Sequence, residues 1–252
     1  MTIVRRRLLA AILILLASLS IAAGPAMAMT STERGRALAK LKWINGPASL
    51  PIGAPAASFD LAPGMMAVTG PDAHRAWEIL QTGTAPELQA IVLVPDLQTV
   101  VFIMYAEPGH VRMDDWSTFS PDNFMTNALE KNRQLTPIRE AAGLPAMLDA
   151  HWEIKPQINQ DQAVIHWGLS YFDPQKNTRA LNIAAIRLGR LGYVRLAIAL
   201  SMDNYDKHPE AIELLEKNFR FQPGAGYADF AQGDKEAPFG IAGLAMRPAY
   251  GE

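Results

Sequence analysis

The sequence predicts an α+β fold: an antiparallel sheet of four or more strands packed with helices as a layered sandwich. Three observations predict it. First, MLDAHWEIK (147–155) and AVIHWGLSY (163–171) each alternate with period two, as a strand with one buried face does. Second, two more β-rich runs, RALNIAAIRL (179–188) and YVRLAIALS (193–201), flank the short turn Gly189-Arg190-Leu191-Gly192. Third, residues 121–135 and 208–219 carry apolar residues at helical spacing.

In chain order, Arg5, Arg6 and Arg7 precede an apolar run from Leu8 to Ala23, then Gly24-Pro25 and Ala26-Met27-Ala28. That run falls short of the roughly 20 residues a spanning helix needs. The pattern is that of a secretory signal cleaved after Ala28, which sends the chain to the periplasm or outside the cell. The alternative is that residues 8–23 stay as an inner-membrane anchor. Residues 29–64 then form an amino-terminal arm with short strands, and 65–252 the α+β domain. Losing three of 23 Lys+Arg leaves 20 against 25 Asp+Glu, a balance of −5. Nucleic acid demands concentrated positive charge, so it is excluded as a partner. There is no cysteine, so packing alone must hold the exported chain.

Thr30 to Lys40 suits a helix. GPASLPIGAPAASFDLAPG (46–64) suits short strands and turns. Pro71-Asp72 opens a short helix with Ala73, Ala76, Trp77 and Leu80 on one face. IVLVP (91–95) and TVVFIMYAEPG (99–109) read as strands broken at Pro95-Asp96. Ser120-Pro121-Asp122 starts a helix to about Gln134, which Pro137 ends or kinks. PQINQDQ (156–162) joins the alternating strands as a hairpin, with Leu148, Ala150, Trp152 and Ile154 inward and Trp152 near Trp167. In the fourth strand Val194, Leu196, Ile198 and Leu200 point inward. Pro209 opens a helix with a stripe of Ile212, Leu215 and Phe219. The glycine-rich tail from Pro223 wraps back on the domain.

The turn Gly189–Gly192 invites two interpretations. A phosphate loop leads from a strand into a helix. Here the following residues alternate, so a hairpin is expected, with glycines that can take positive φ. Arg187, Arg190 and Arg195 are then surface charges or partners of nearby acids such as Asp203. The sharper alternative makes them an anion-binding patch.

A series of short elements runs through the chain. It includes Trp43-Ile44-Asn45-Gly46-Pro47, then Gly109-His110-Val111-Arg112-Met113-Asp114-Asp115, then Asn132-Arg133, Trp152 with Pro156, and Val164–Trp167. It continues with Asn182, Arg187-Leu188-Gly189-Arg190, Gly192, Phe221, Gly224, Tyr227, Asp229, Phe230, Asp234, Lys235 and Gly240. From Leu41 onward this order resembles a family of uncharacterised bacterial membrane-anchored proteins, a domain of unknown function. The chain departs from that pattern at His151, where the family has glycine, and at Ile158-Asn159, where it has Tyr-Asp. The resemblance implies carboxy-terminal spanning helices, which this sequence lacks up to Glu252, and it implies no activity.

His151, Glu153 and His166 are expected on the outer face of the hairpin, with His166 opposite or diagonal to the other two, where a metal would find ligands. Asp114-Asp115 point apart on an extended chain and make no acid/base pair. No Gly-x-Ser-x-Gly elbow, Ser-x-x-Lys or phosphate-loop motif occurs. The expectation is an exported, non-enzymatic protein that contacts an envelope protein, with no catalytic residue, metal or cofactor. The alternative is a small-ligand or anion binder, or a metal-dependent enzyme, using His151/Glu153/His166 or the turn bearing Arg187, Arg190 and Arg195.

Overall fold

The computed structural model describes residues 29–54, 56–174, 177–207, 213 and 217–247. The leader, residues 1–28, lies outside them, as do 208–212 and 214–216 of the helix expected over 208–219. Among the described residues no helix is long and apolar enough to cross a membrane.

Eleven strands and five helices are described. The helices are α1 (Ser31–Leu38), α2 (Gly70–Leu80), α3 (Pro121–Ala141), α4 (Met202–Lys207) and α5 (Ile241–Met246). Eight strands form one antiparallel sheet: β1 (Ile44–Asn45), β4 (Met66–Thr69), β5 (Leu88–Val94), β6 (Thr99–Ala106), β10 (Tyr193–Ser201), β9 (Thr178–Leu188), β8 (Val164–Asp173) and β7 (Leu148–Asn159), in that spatial order. A second sheet takes β2 (Ala48–Ile52), β3 (Ala57–Leu61) and β11 (Phe219–Phe221), with β3 in the middle.

These elements stack as three layers. The small sheet sets Leu50, Ile52, Phe59, Leu61 and Phe219 against Val92, Ile103, Ile183, Leu196 and Ile198 of the large one. The opposite face of the large sheet carries helices. On one half, Ala73, Ala76 and Trp77 of α2 and Leu38 of α1 cover Val68, Ile91, Val100 and Phe102. On the other half, α5, Phe124 of α3 and the loop with Val111, Trp116 and Phe119 cover Ile165, Trp167, Ile186 and Tyr193. The helix starts follow the sequence signals. Thr30 and Glu33 form a reciprocal capping box on α1, and the Ser120 hydroxyl accepts from the Asn123 N–H of α3 at 3.2 Å.

Four local expectations are corrected. Proline at position 137 does not end α3, which runs on to Ala141 with Pro137 on its solvent side. Phe219 opens a strand rather than closing a helix, because it is needed against Phe59 in the small sheet. Arg195, expected as a surface charge, is buried, because β10 lies mid-sheet between β6 and β9 and is covered on both faces; Val194, Leu196, Ile198 and Leu200 point inward as expected. Finally, β7 is the outermost strand and its register against β8 shifts at three places. These bulges send Trp152 and Ile154 to opposite faces: Trp152 packs with Trp167 around Phe124, while Ile154 lies on Gly168 beside the small-sheet core. Trp152 and Trp167 thus do share one core, each ring centroid 5.4 Å from that of Phe124.

Candidate functional site

The bulges of β7 also decide where the polar residues of the hairpin go. His151 stands opposite Ser170, and His166 stands opposite Gln157. His166 therefore does not meet His151 or Glu153, which corrects the expected register. Among the described residues no three His, Cys, Asp or Glu side chains gather as a metal would require. His151 and Glu153 instead join a different network. Arg179 donates to the Asp149 carboxylate at 3.0 Å and to the Ser170 hydroxyl at 2.9 Å, and Ser170 donates to Glu153 at 2.6 Å. His151 Nε2 donates to the other Asp149 oxygen at 2.9 Å. The Arg179 and His151 hydrogen bonds, in that order, hold the Asp149 carboxyl below its ordinary value. Asp149 sits at φ +50°, a conformation non-glycine residues adopt sparingly, and Arg179 secures it there. Within this network Ser170 is buried at the inner end, while Asp149, His151 and Glu153 are exposed along the sheet edge.

The three arginines are also separated. Arg187 is paired with Val194 across the ladder and shares its face, where its guanidinium lies 5.4 Å from the Phe219 ring centroid. Arg195 follows Val194, so it points to the opposite face, where it is buried. Arg190, at the turn, is held by Asp234 through two parallel bonds of 2.8 and 2.9 Å. Arg190 thus has an acidic partner, although that acid is Asp234 and not Asp203.

The turn itself is the hairpin the alternation implied, closed by the Gly189 N–H to the Gly192 carbonyl at 2.8 Å. Its glycines serve a different purpose from the one expected. Neither has a positive φ. A Cβ on Gly192 would lie 2.1 Å from the Ala106 carbonyl oxygen, and one on Gly189 would lie 2.6 Å from the Phe221 ring. They are glycines because other chain segments press against them.

One of those segments is the tail, which binds the turn and the loop after β6 together. His110 is buried between Tyr227 and Phe230, with ring centroids at 4.4 and 4.0 Å. Its Nδ1 donates to the Arg190 carbonyl at 3.1 Å; a carbonyl can only accept, so Nδ1 carries the proton. The Arg190 N–H donates to the Ala225 carbonyl at 2.9 Å. Asp115 accepts from the Ala242 N–H at the start of α5. The Arg190 hydrogen bonds, assisted by the Ala231 N–H, hold the Asp234 carboxyl at about 2. Because its folded value is depressed below the ordinary 3.8, the stability Asp234 contributes is complete above about pH 4 and is lost as pH falls toward 2. The Arg190 amide should therefore exchange faster as pH falls through that window, after correction for intrinsic exchange rates. Asp234→Asn should remove the acid step, and hydrogen exchange read by NMR checks both.

Beside this belt lies a cleft of about 680 Å³, lined by Ser49, Pro51, Gly53 and Ala54 of the β2–β3 hairpin, by Ser58, by Tyr105 and Glu107 at the end of β6, and by Gln222–Ala225. A recess of about 140 Å³ continues from it, bounded by Tyr105, Glu107, Phe221 and the turn Gly189–Gly192. Gly53, at φ +56°, lays its backbone on the Tyr105 ring; a Cβ there would come within 2.5 Å of ring atoms. Burial, then the Glu107 carboxylate, raise the Tyr105 phenol above its ordinary value. Of the residues expected to bind, only Arg190 borders this space, at the recess. Tyr105 and Glu107 carried no sequence signal beyond ending a strand before Pro108-Gly109. The belt residues were visible as a series, namely Gly109-His110, Gly189-Arg190, Phe221, Tyr227, Phe230 and Asp234, and the fold gathers this series into one place.

The model of a family described as Protein of unknown function (DUF2167) matches residues 44–247. No curated protein matches the chain. Among solved structures, the chain is similar to the solution structure of cyanobacterial PsbP (CyanoP) from Synechocystis sp. PCC 6803, with 11% identity over 81% of this chain and 99% of that one, at a TM-score of 0.41. A likeness of that degree carries no argument about function.

Proposed function

Because the chain belongs to the DUF2167 family of proteins of unknown function, we propose that it is an exported, non-catalytic interaction domain that takes an extended segment of an envelope protein into the cleft beside Tyr105. The observation that carries this reading is the cleft itself. Its walls come from three separate stretches of chain, and besides Tyr105 and Glu107 they are made of small side chains, backbone and a few neutral polar groups, Ser49, Ser58 and Gln222. Such a surface offers a polypeptide both apolar contact and hydrogen bonds. Ser58 and Gln222 are already bonded to one another at 3.2 Å, which holds the cleft floor in place. The Arg5–Arg7, Leu8–Ala23 and Ala26–Ala28 pattern supports the export part of this reading.

In-cell photocrosslinking tests the reading. A photoreactive residue at Ser49 or Ala54, both exposed at the cleft, should give the same discrete protein adduct, and one at Glu140 on α3 should not. Adducts from neither cleft position, or equally from Glu140, would overturn it. For export, the amino terminus of the isolated protein should be Met29; a terminus at Met1 would replace secretion with tethering.

A further inference from the structure

We propose that the recess formed by Glu107, Tyr105 and Phe221 receives the cationic end of a lysine or arginine side chain from the segment lying in the cleft. This rests on the reading of the cleft as a polypeptide groove and adds the chemistry of its anchor.

Charge decides the sign of the ligand. Of the residues lining the cleft and its recess, two are charged, Arg190 and Glu107. Arg190 is neutralised by its two bonds to Asp234, at 2.8 and 2.9 Å, so an incoming anion would have to displace a carboxylate already held in fork geometry. Glu107 is exposed and lines both the cleft and the recess, next to Tyr105. The Glu107 carboxylate faces a recess in which, among the described residues, the committed Arg190 is the one cationic lining group.

The remaining walls suit the same ligand. Tyr105 and Phe221 both border the recess, and aromatic faces attract ammonium and guanidinium groups. Gly189 and Gly192 add no side chain to the space, and the Cβ distances show that neither position admits one without displacing neighbours. A volume of about 140 Å³ is that of four to five waters at about 30 Å³ each. This accommodates the charged head of a basic side chain with its last methylenes, while the longer cleft holds the backbone on either side. A glutamate or aspartate in the same position would face Glu107 directly.

The test uses purified protein and three blocked pentapeptides that differ only at the centre, Ala-Ala-Lys-Ala-Ala and its norleucine and glutamate counterparts. Norleucine keeps the methylenes and removes the charge. The lysine peptide should bind about tenfold more tightly. The preference should shrink as salt rises from about 0.05 to about 0.5 M, because an exposed pair is screened. Glu107→Gln should abolish the preference. Glu107→Lys should transfer it to the glutamate peptide, a gain that misfolding cannot produce. Equal binding of lysine and norleucine peptides, a preference that survives Glu107→Gln, or binding of neither peptide would overturn the proposal. Crosslinks from Ser49 and Ala54 would still support the groove in those cases, and their absence would remove the groove reading separately.

Discussion

Replacing Trp77 with alanine should destabilise the protein by about 4 kcal/mol. Trp77 is 2% exposed and is the largest side chain buried between α2 and the large sheet. Its ring meets Phe102 edge-on at 5.3 Å, and its indole N–H donates to the Gly83 carbonyl at 3.0 Å. Alanine leaves a void that α2 cannot close, because the helix is fixed at Ala73 and Ala76 on the same stripe. It also leaves the Gly83 carbonyl without that donor, a second loss of about 1 kcal/mol or more contained in the total. At two to four degrees per kcal/mol for a chain of this size, the melting temperature should fall by about 8–16 °C. Urea titration should show a lower midpoint with an unchanged slope. Trp152→Ala is the comparison: that ring is half-buried at the sheet edge, and its loss should be about half as large. Equal losses would mean that α2 is not the anchor of its layer.

Gly192→Ala should be the second severe change, at about 3 kcal/mol, for the opposite reason. Nothing is removed; a single methyl is added where there is no room. It would lie 2.1 Å from the Ala106 oxygen and 2.9 Å from the Glu107 Cα. Both are backbone atoms at the end of β6, and Tyr193 is in register with Ala106 immediately beside them. Relief requires β6 and β10 to part at this end, which moves Glu107 and opens the cleft wall. Denaturation should therefore show the loss, and the peptide binding proposed for the cleft should weaken in the fraction that stays folded. Gly224→Ala is the control. Nothing lies within 4 Å of a Cβ there, and only its φ of +82° resists substitution, so the effect should be near 1 kcal/mol. If the two changes were equally mild, close approach would not be why position 192 is glycine.

The parts of this fold that a reader of the sequence can see are those decided locally. The period-two runs became β7 to β10, and Ser120-Pro121-Asp122 became the start of α3. What stayed hidden depends on distant partners. MLDAHWEIKP alternates without a break, yet three register shifts on the outermost strand redistribute its side chains, so alternation on paper does not survive as alternation in space. Phe219 continues a helical stripe by spacing and is a strand residue by contact with Phe59. The site follows the same division. The glycine turn was legible as a hairpin, but Asp234, which fixes Arg190, lies 44 residues downstream with no local mark. Tyr105 and Glu107 acquire their setting from Gly53 and Phe221, which approach from opposite ends of the chain. The ordered family series was the strongest hint: it marked the residues that meet, without saying what they meet for.

β3 borrows its two neighbours from opposite ends of the polypeptide: β2 just before it, and β11 with an Asp60–Arg220 pair spanning 160 residues. A chain emerging amino end first must therefore wait with Phe59 half covered until β11 arrives. The same late arrival supplies Phe221 and Gln222–Ala225, without which the cleft has no far wall. Such non-local closure is slow compared with the adjacent hairpins. Closure of the small sheet and completion of the cleft wall thus coincide in a single late step.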